Sequence, residues 1–97
     1  MPISYRAAQT LIKRGDEPTL RQALDTGLDA NLANQNGWTL LMLASVEGNL
    51  PIGRLLIECG ARTDARNNKD ETALTLATHR GYTLFVDLLT NHDASTA

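Results

Sequence analysis

Aromatic residues are scarce: one Trp, one Phe and two Tyr make up 4% of the 97 residues. A chain short of large rings but rich in Leu and Ala points to thin layers of closely spaced helices rather than one thick core. Cysteine is nearly absent. Cys59 stands alone, which rules out an internal disulfide and suits a reducing compartment, so a cytoplasmic location is expected. Its place one residue before a helix-ending glycine reads as a partly buried thiol without a functional role. Long apolar runs are also missing. The longest uncharged apolar stretch, Trp38 to Ala44, is far too short to span a bilayer. No basic region precedes an apolar segment at the N-terminus, as a secretory signal requires.

No charge dominates either. Nine Lys and Arg stand against eleven Asp and Glu, a net charge of −2, which leaves no electrostatic footprint for nucleic acid or an anionic membrane. Catalytic groupings are absent too. His79 and His92 lie far apart in sequence and Cys59 falls outside their neighbourhood, so the ligand spacing of a structural zinc site is missing. Asp16-Glu17 and Asp70-Glu71 read as helix-start charges rather than a carboxylate dyad. The glycines do not form a phosphate-cradling loop. The chain therefore reads as non-enzymatic, with no cofactor and no metal.

What the sequence does hold is a repeat. A shift of thirty-three places carries Thr39 onto Thr72, Leu41 onto Leu74, and Leu43-Ala44 onto Leu76-Ala77. The same shift carries Gly48 onto Gly81, Leu55-Leu56 onto Leu88-Leu89, and Ala61 onto Ala94. Run backwards, it carries Gly48 and Gly60 onto Gly15 and Gly27. A fixed period of this length marks a stacked-repeat protein, in which each unit covers its neighbour's apolar face. The whole chain, 1–97, is expected to be one domain, with repeats at about 1–33, 34–66 and 67–97. A domain of this size buries somewhat over ~60% of the surface its unfolded chain exposes.

Within each period the pattern predicts a pair of helices. The first runs over residues 1–14, with Ser4 as a cap and Tyr5, Ala8, Leu11 and Ile12 on one face, and stops at Gly15. A second spans about 18–26, with Pro18 in its first turn, Leu20, Ala23 and Leu24 buried, and Gly27 as its end. Residues 31–37, rich in Asn and ending in Gly, read as an extended loop or short β-hairpin. Thr39 then opens a helix that ends at Gly48. Pro51 lies in the first turn of the next, which buries Ile52, Leu55, Leu56 and Ile57 and stops at Gly60. Residues 64–70 repeat the loop. Helices at 72–80 and 83–92 complete the third pair, with Phe85, Val86, Leu88 and Leu89 buried.

These residues resemble the ankyrin-repeat family, whose unit runs Asp-x-x-Gly-x-Thr-Pro-Leu-His-x-Ala, then a glycine, then Leu-Leu-x-x-Gly-Ala and a loop ending in Asn. The middle repeat reads Asn34-Gln35-Asn36-Gly37-Trp38-Thr39-Leu40-Leu41-Met42-Leu43-Ala44, then Gly48 and Leu56-Ile57-Glu58-Cys59-Gly60-Ala61. The third reads Asn67-Asn68-Lys69-Asp70-Glu71-Thr72-Ala73-Leu74-Thr75-Leu76-Ala77, then Gly81 and Leu88-Leu89. The first keeps Gly15, Leu20, Leu24 and Gly27-Leu28-Asp29-Ala30-Asn31. The resemblance implies an all-α helical repeat: an ankyrin-type solenoid of three helix-turn-helix units joined by two short β-hairpin loops.

The chain also departs from the pattern. Leu40 and Ala73 replace the proline, and Met42 and Thr75 replace the histidine that ties neighbouring loops together in the family. Gly53 replaces a valine of the second helix, and Gly53→Ala is expected to be neutral or stabilising. Asp70, Thr75, Thr90 and Asp93 are expected to form a polar outward face, which makes the third repeat a C-terminal cap and the chain complete.

Partners of ankyrin repeats are held by the hairpin tips and by the concave face of the first helices. Carried over, this implies Ala33, Gln35, Asn36, Trp38, Val46 and Glu47 from the middle repeat, and Arg66, Asn68, Lys69, Glu71, His79 and Arg80 from the third. Polar residues around one aromatic suit a protein partner. Trp38 can be that anchor or can pack on the adjacent hairpin, and Glu71 is expected to be a rim charge. The expected role is that of a small interaction module, monomeric when free. It could act as an adaptor or as an antitoxin-like immunity protein that inhibits one enzyme; the alternative is a subunit of a larger complex that uses an end face.

Overall fold

The computed structural model describes residues 3–96, with side chains from Ile3 to Asn91. It comprises α1 (Tyr5–Arg14), α2 (Glu17–Asp25), α3 (Leu40–Glu47), α4 (Leu50–Glu58), α5 (Ala73–Arg80) and α6 (Thr83–Thr96). Five of the six start on a side chain that accepts a backbone N–H of the first turn. Ser4 Oγ takes the Ala7 amide at 3.2 Å, Asp16 Oδ1 that of Thr19 at 3.3 Å, and Thr39 Oγ1 that of Met42 at 3.2 Å. Asn49 Oδ1 takes the Ile52 amide at 3.1 Å and Thr72 Oγ1 that of Thr75 at 3.2 Å. Each cap satisfies a donor that has no partner inside its helix. The first helix of every pair then stops at a left-handed glycine, Gly15, Gly48 or Gly81.

Several boundaries differ from the sequence expectation. The Ser4 cap delays α1 to Tyr5, and residues 1 and 2 lie outside the described residues. Asp16 caps α2 so that it opens at Glu17, ahead of Pro18. Helix α6 runs past His92 to Thr96. The expected hairpins are reduced to one isolated antiparallel bridge among the described residues, Ala33 with Thr39. The reason lies in two asparagines. Asn34 Oδ1 accepts the Asn36 and Trp38 amides at 2.9 and 3.0 Å, and Asn67 Oδ1 accepts those of Lys69 and Glu71 at 2.9 and 3.0 Å. Side chains thus take the amides that a strand ladder would otherwise use.

The six helices stack in two rows. In one, α3 packs between α1 and α5; in the other, α4 packs between α2 and α6. The middle pair is enclosed on both sides, so α3 buries Leu40, Leu41, Met42, Ala44 and Ser45, and α4 buries Ile52, Leu55, Leu56 and Ile57. The outer pairs contribute Ala8, Ile12 and Leu20 on one side and Phe85 and Leu89 on the other. Tyr5, Leu11, Leu24, Val86 and Leu88 pack against this core while remaining half-buried. The Tyr5 hydroxyl is enclosed without a hydrogen-bond partner among the described residues, and burial pushes its pKa up.

Gly53 corrects one expectation outright. A Cβ there would meet Phe85 Cε2 and Cζ at 2.6 Å and Leu88 Cδ2 at 3.3 Å. Phe85 is itself fully enclosed and cannot swing away. The glycine is therefore a seat for the ring, and no gain from alanine is available. Cys59, expected partly buried, is exposed at the end of α4. Of the expected polar cap, Asp70 and Thr90 are exposed, while Thr75 is half-buried and its hydroxyl pairs with Thr72 Oγ1 at 3.0 Å. Asp93 lies outside the residues whose side chains are described.

Candidate functional site

The two asparagine-centred loops are built alike. In each, an amide bonds back across the turn: Asn34 N–H to the Trp38 carbonyl at 3.1 Å and Asn67 N–H to that of Glu71 at 3.0 Å. The fourth loop residue has a positive φ in both, 80° at Gly37 and 64° at Asp70. The loops also touch one another. Asn68 donates its amide to the Asn36 carbonyl at 2.8 Å and its side-chain Nδ2 to the Gln35 carbonyl at 3.4 Å. Gly37 lies so close to the next loop that an added Cβ would stand 2.9 Å from Asn67 Cα. One loop back, Asn31 accepts the Arg62 amide at 2.7 Å and donates to the Gly60 carbonyl at 3.1 Å. Main chain and asparagine therefore supply the ties between neighbouring loops.

This arrangement brings Gln35, Asn36, Arg66, Asn68 and Lys69 onto one stacked ridge, all exposed, with Ala33 exposed at its base. Trp38 is half-buried. Its backbone is pinned by Asn34, and the residue packs against the core without being fully covered. Glu71 is not the free rim charge expected. Its carboxylate accepts from Nδ2 of Asn67 at 2.9 Å, and Asn67 is buried at 6% exposure. Val46, Glu47, His79 and Arg80 form a second group at the far ends of α3 and α5, Val46 half-buried and the other three exposed. An eight-residue helix spans about 12 Å, so that distance separates the two groups along each rung.

Exposed charge pairs are few and local among the described residues: Arg66 with Asp70 at 3.1 Å, Arg62 with Asp64 at 3.2 Å and Arg21 with Glu17 at 2.8 Å. The hydrogen bond from Arg62 holds the Asp64 carboxyl below the usual carboxylate range, and the Glu17 carboxylate raises Arg21. Such pairs contribute little to stability in full solvent.

Sequence reasoning did not single out some surface residues. Lys13 and Arg14 close α1 at the positions that Val46 and Glu47 occupy in α3, and the thirty-three-residue shift identifies them directly. An open groove of about 660 Å³ between α4 and α6 is lined by Leu50, Arg54, Ile57, Glu58, Leu84 and Leu88, among others. No pattern in the sequence marks it, because it lies between two helices of the outer row, formed by α2, α4 and α6, while α1, α3 and α5 make the inner row. Among the described residues no cluster of His, Cys, Asp and Glu is placed to hold a metal ion, and no helix is long and apolar enough to cross a membrane.

Residues 5–97 match the family model for ankyrin repeats in three copies. The chain is similar to an ankyrin repeat, SAM and basic leucine zipper domain-containing protein of Colobus guereza, 30% identical over 77 residues, covering 79% of this chain and 16% of that one. It is 39% identical over 73 residues to human M-phase phosphoprotein 8, covering 73% of this chain and 8% of the relative. A putative ankyrin repeat-containing protein of Treponema pallidum is 29% identical over 85 residues, 87% of this chain and 28% of its own length. The chain thus spans less than a third of each of these relatives. Six helices in two stacked rows, bridged by loops of one recurring design, and a match over nearly every residue place this chain in the ankyrin-repeat family.

Proposed function

We propose that the chain binds a protein partner through Ala33, Gln35, Asn36, Trp38, Arg66, Asn68, Lys69 and Glu71 on its loops and Val46, Glu47, His79 and Arg80 on the inner helix ends. One observation carries this reading. Asn68 locks the two loop backbones to each other and an asparagine turn braces each one, while the side chains of Gln35, Asn36, Arg66, Asn68 and Lys69 stay exposed. A surface held rigid before binding loses little entropy on association. Ankyrin repeats act generally as protein-interaction modules, and the chemistry of this surface suits that role. Restricting one partner by occupying its surface, as an adaptor or an antitoxin-like inhibitor does, needs nothing beyond such a surface.

Trp38 is the anchor to test. Its counterpart in the next repeat is Glu71, so the fold does not demand an aromatic there. Trp38→Ala is expected to weaken binding of a partner captured from the native source by ~2 kcal/mol or more. Folding stability should fall by less than the ~3–5 kcal/mol typical of a fully buried tryptophan. Gln22→Ala, on the exposed face of α2, is the control. An unchanged affinity with a large stability loss would remove Trp38 from the site.

A second reading has its own observation. Leu41, on the helix enclosed between α1 and α5, is 1% exposed, whereas Leu74, thirty-three residues on, is 37% exposed. An end face of this kind supports assembly as a subunit of a larger complex. Light scattering separates the two: a monomer across concentrations favours the first reading, an obligate oligomer the second.

A further inference from the structure

The last two residues of each inner helix form a row: Lys13-Arg14 on α1, Val46-Glu47 on α3 and His79-Arg80 on α5. We propose that this row takes an extended acidic segment of the partner, laid across the three helix ends, with carboxylates near Arg14 and Arg80 and an apolar or basic residue between them. The proposal rests on the protein-binding reading above and names its chemistry.

Three observations carry it. Lys13, Arg14 and Arg80 are exposed and form no ion pair among the described residues, unlike Arg21, Arg62 and Arg66. The charge of the molecule is also divided. The last turns of α1, α3 and α5 and loop residues 66–71 hold five of the nine cations and three of the eleven carboxylates; the rest of the chain holds four cations and eight carboxylates. A chain that is acidic in total therefore presents a basic face, which steers an acidic partner to it. Finally, the spacing fits. Neighbouring packed helices lie about 8–10 Å apart and an extended strand rises about 3.3 Å per residue, so the ends of α1 and α5 face positions roughly six residues apart.

Cations at helix C-termini also answer the helix dipole. The dipole does not account for the row, however, because α3 carries the same dipole and ends on Val46-Glu47. Glu47 at the centre also opposes nucleic acid, whose regular phosphates would place negative charge over it.

The test uses fluorescence anisotropy with the full chain and synthetic peptides. One peptide carries two Glu pairs about six residues apart around a central Leu-Lys, matching the strand rise. A second has the same composition with the Glu residues adjacent, a third has Gln for Glu, and a poly-dT oligonucleotide is the fourth probe. The spaced peptide should bind about tenfold tighter than the other three, and should lose that advantage to Arg14→Glu/Arg80→Glu but not to Arg54→Glu on the outer row. Circular dichroism confirms that each variant is folded. No binding, equal binding of the isomeric peptide, stronger binding of the oligonucleotide, or indifference to the double reversal overturns the proposal. A captured partner that responds to Trp38→Ala but not to Arg14→Glu/Arg80→Glu would overturn it while leaving the interaction reading in place.

Discussion

The ring of Phe85 fills the volume that a side chain at residue 53 would need. Gly53→Ala should destabilise the chain by about 1–3 kcal/mol in a urea titration, the cost of overpacking an enclosed site. Adding Phe85→Leu to the same variant should recover part of the loss, because the obstructing atoms belong to the ring. Gly60 is the opposite case: a Cβ there meets nothing within 4 Å, but its φ is 95°. Gly60→Val should cost about 1–3 kcal/mol through backbone strain alone, with no compensating partner substitution. The two losses are of similar size, so the second-site rescue is what distinguishes clash from strain. Asp70 occupies the turn position that Gly37 holds in the preceding loop, at a φ of 64°. Asp70→Gly should leave stability unchanged or raise it by up to about 1 kcal/mol, since the left-handed strain it relieves exceeds an exposed pair with Arg66. A clear loss on Asp70→Gly would show that the pair matters more than the strain.

Helix ends were the most readable elements. Ser4, Thr39 and Thr72 each precede an apolar stripe, and each accepts the amide three residues on. Asn49 does the same for α4, where the sequence reading rested on Pro51 in the first turn alone. Pro18 and Pro51 lie in the first turns of α2 and α4, and the equivalent residue of α6 is Leu84, 65% exposed. Leu84→Pro should therefore raise stability by about 0.4–1 kcal/mol, because proline restricts the unfolded chain and fits a first helical turn. A lowered melting temperature would show that α6 opens with a backbone unlike that of its two counterparts. The loops were the least readable elements. Runs of Asn and Gly announce a turn but do not say whether main-chain or side-chain acceptors will complete it. Here Asn34 and Asn67 do so, and the hairpin shrinks to a single bridge.

At the scale of the whole molecule, stability depends on the joints between repeats. Side by side helices bury the apolar faces, while Asn31 and Asn68 stitch successive loops together. Asn31→Ala removes two such bonds and should lower unfolding free energy by about 1 kcal/mol, since water replaces the lost partners at this exposed site. Hydrogen exchange at the Arg62 amide should accelerate by more than the global change requires. Uniform acceleration over every amide would mean that the tie acts on the fold as a whole rather than on one joint. Unfolding itself is expected to remain a single transition, because the outer pairs have apolar faces that only the middle pair covers. A two-step melt by circular dichroism would contradict that.

The sequence by itself determined the period, the helix pairs, their stops and most of the enclosed residues. Those features are local: a cap, a left-handed glycine or a stripe at helical spacing acts within a few residues of itself. Likeness to the ankyrin unit suggested the candidate surface, and the thirty-three-residue shift pairs its positions from one repeat to the next. Tertiary structure decided whatever depends on a neighbour's side chain. Gly53 became a seat for Phe85, Glu71 became a partner of buried Asn67, and Trp38 settled half against the core. It also set Lys13, Arg14, His79 and Arg80 in one row, since only stacking of α1, α3 and α5 brings residues so distant in sequence to adjacent helix ends. Local chemistry fixes where helices begin and end; which atoms share the space between them is fixed only when the repeats pack.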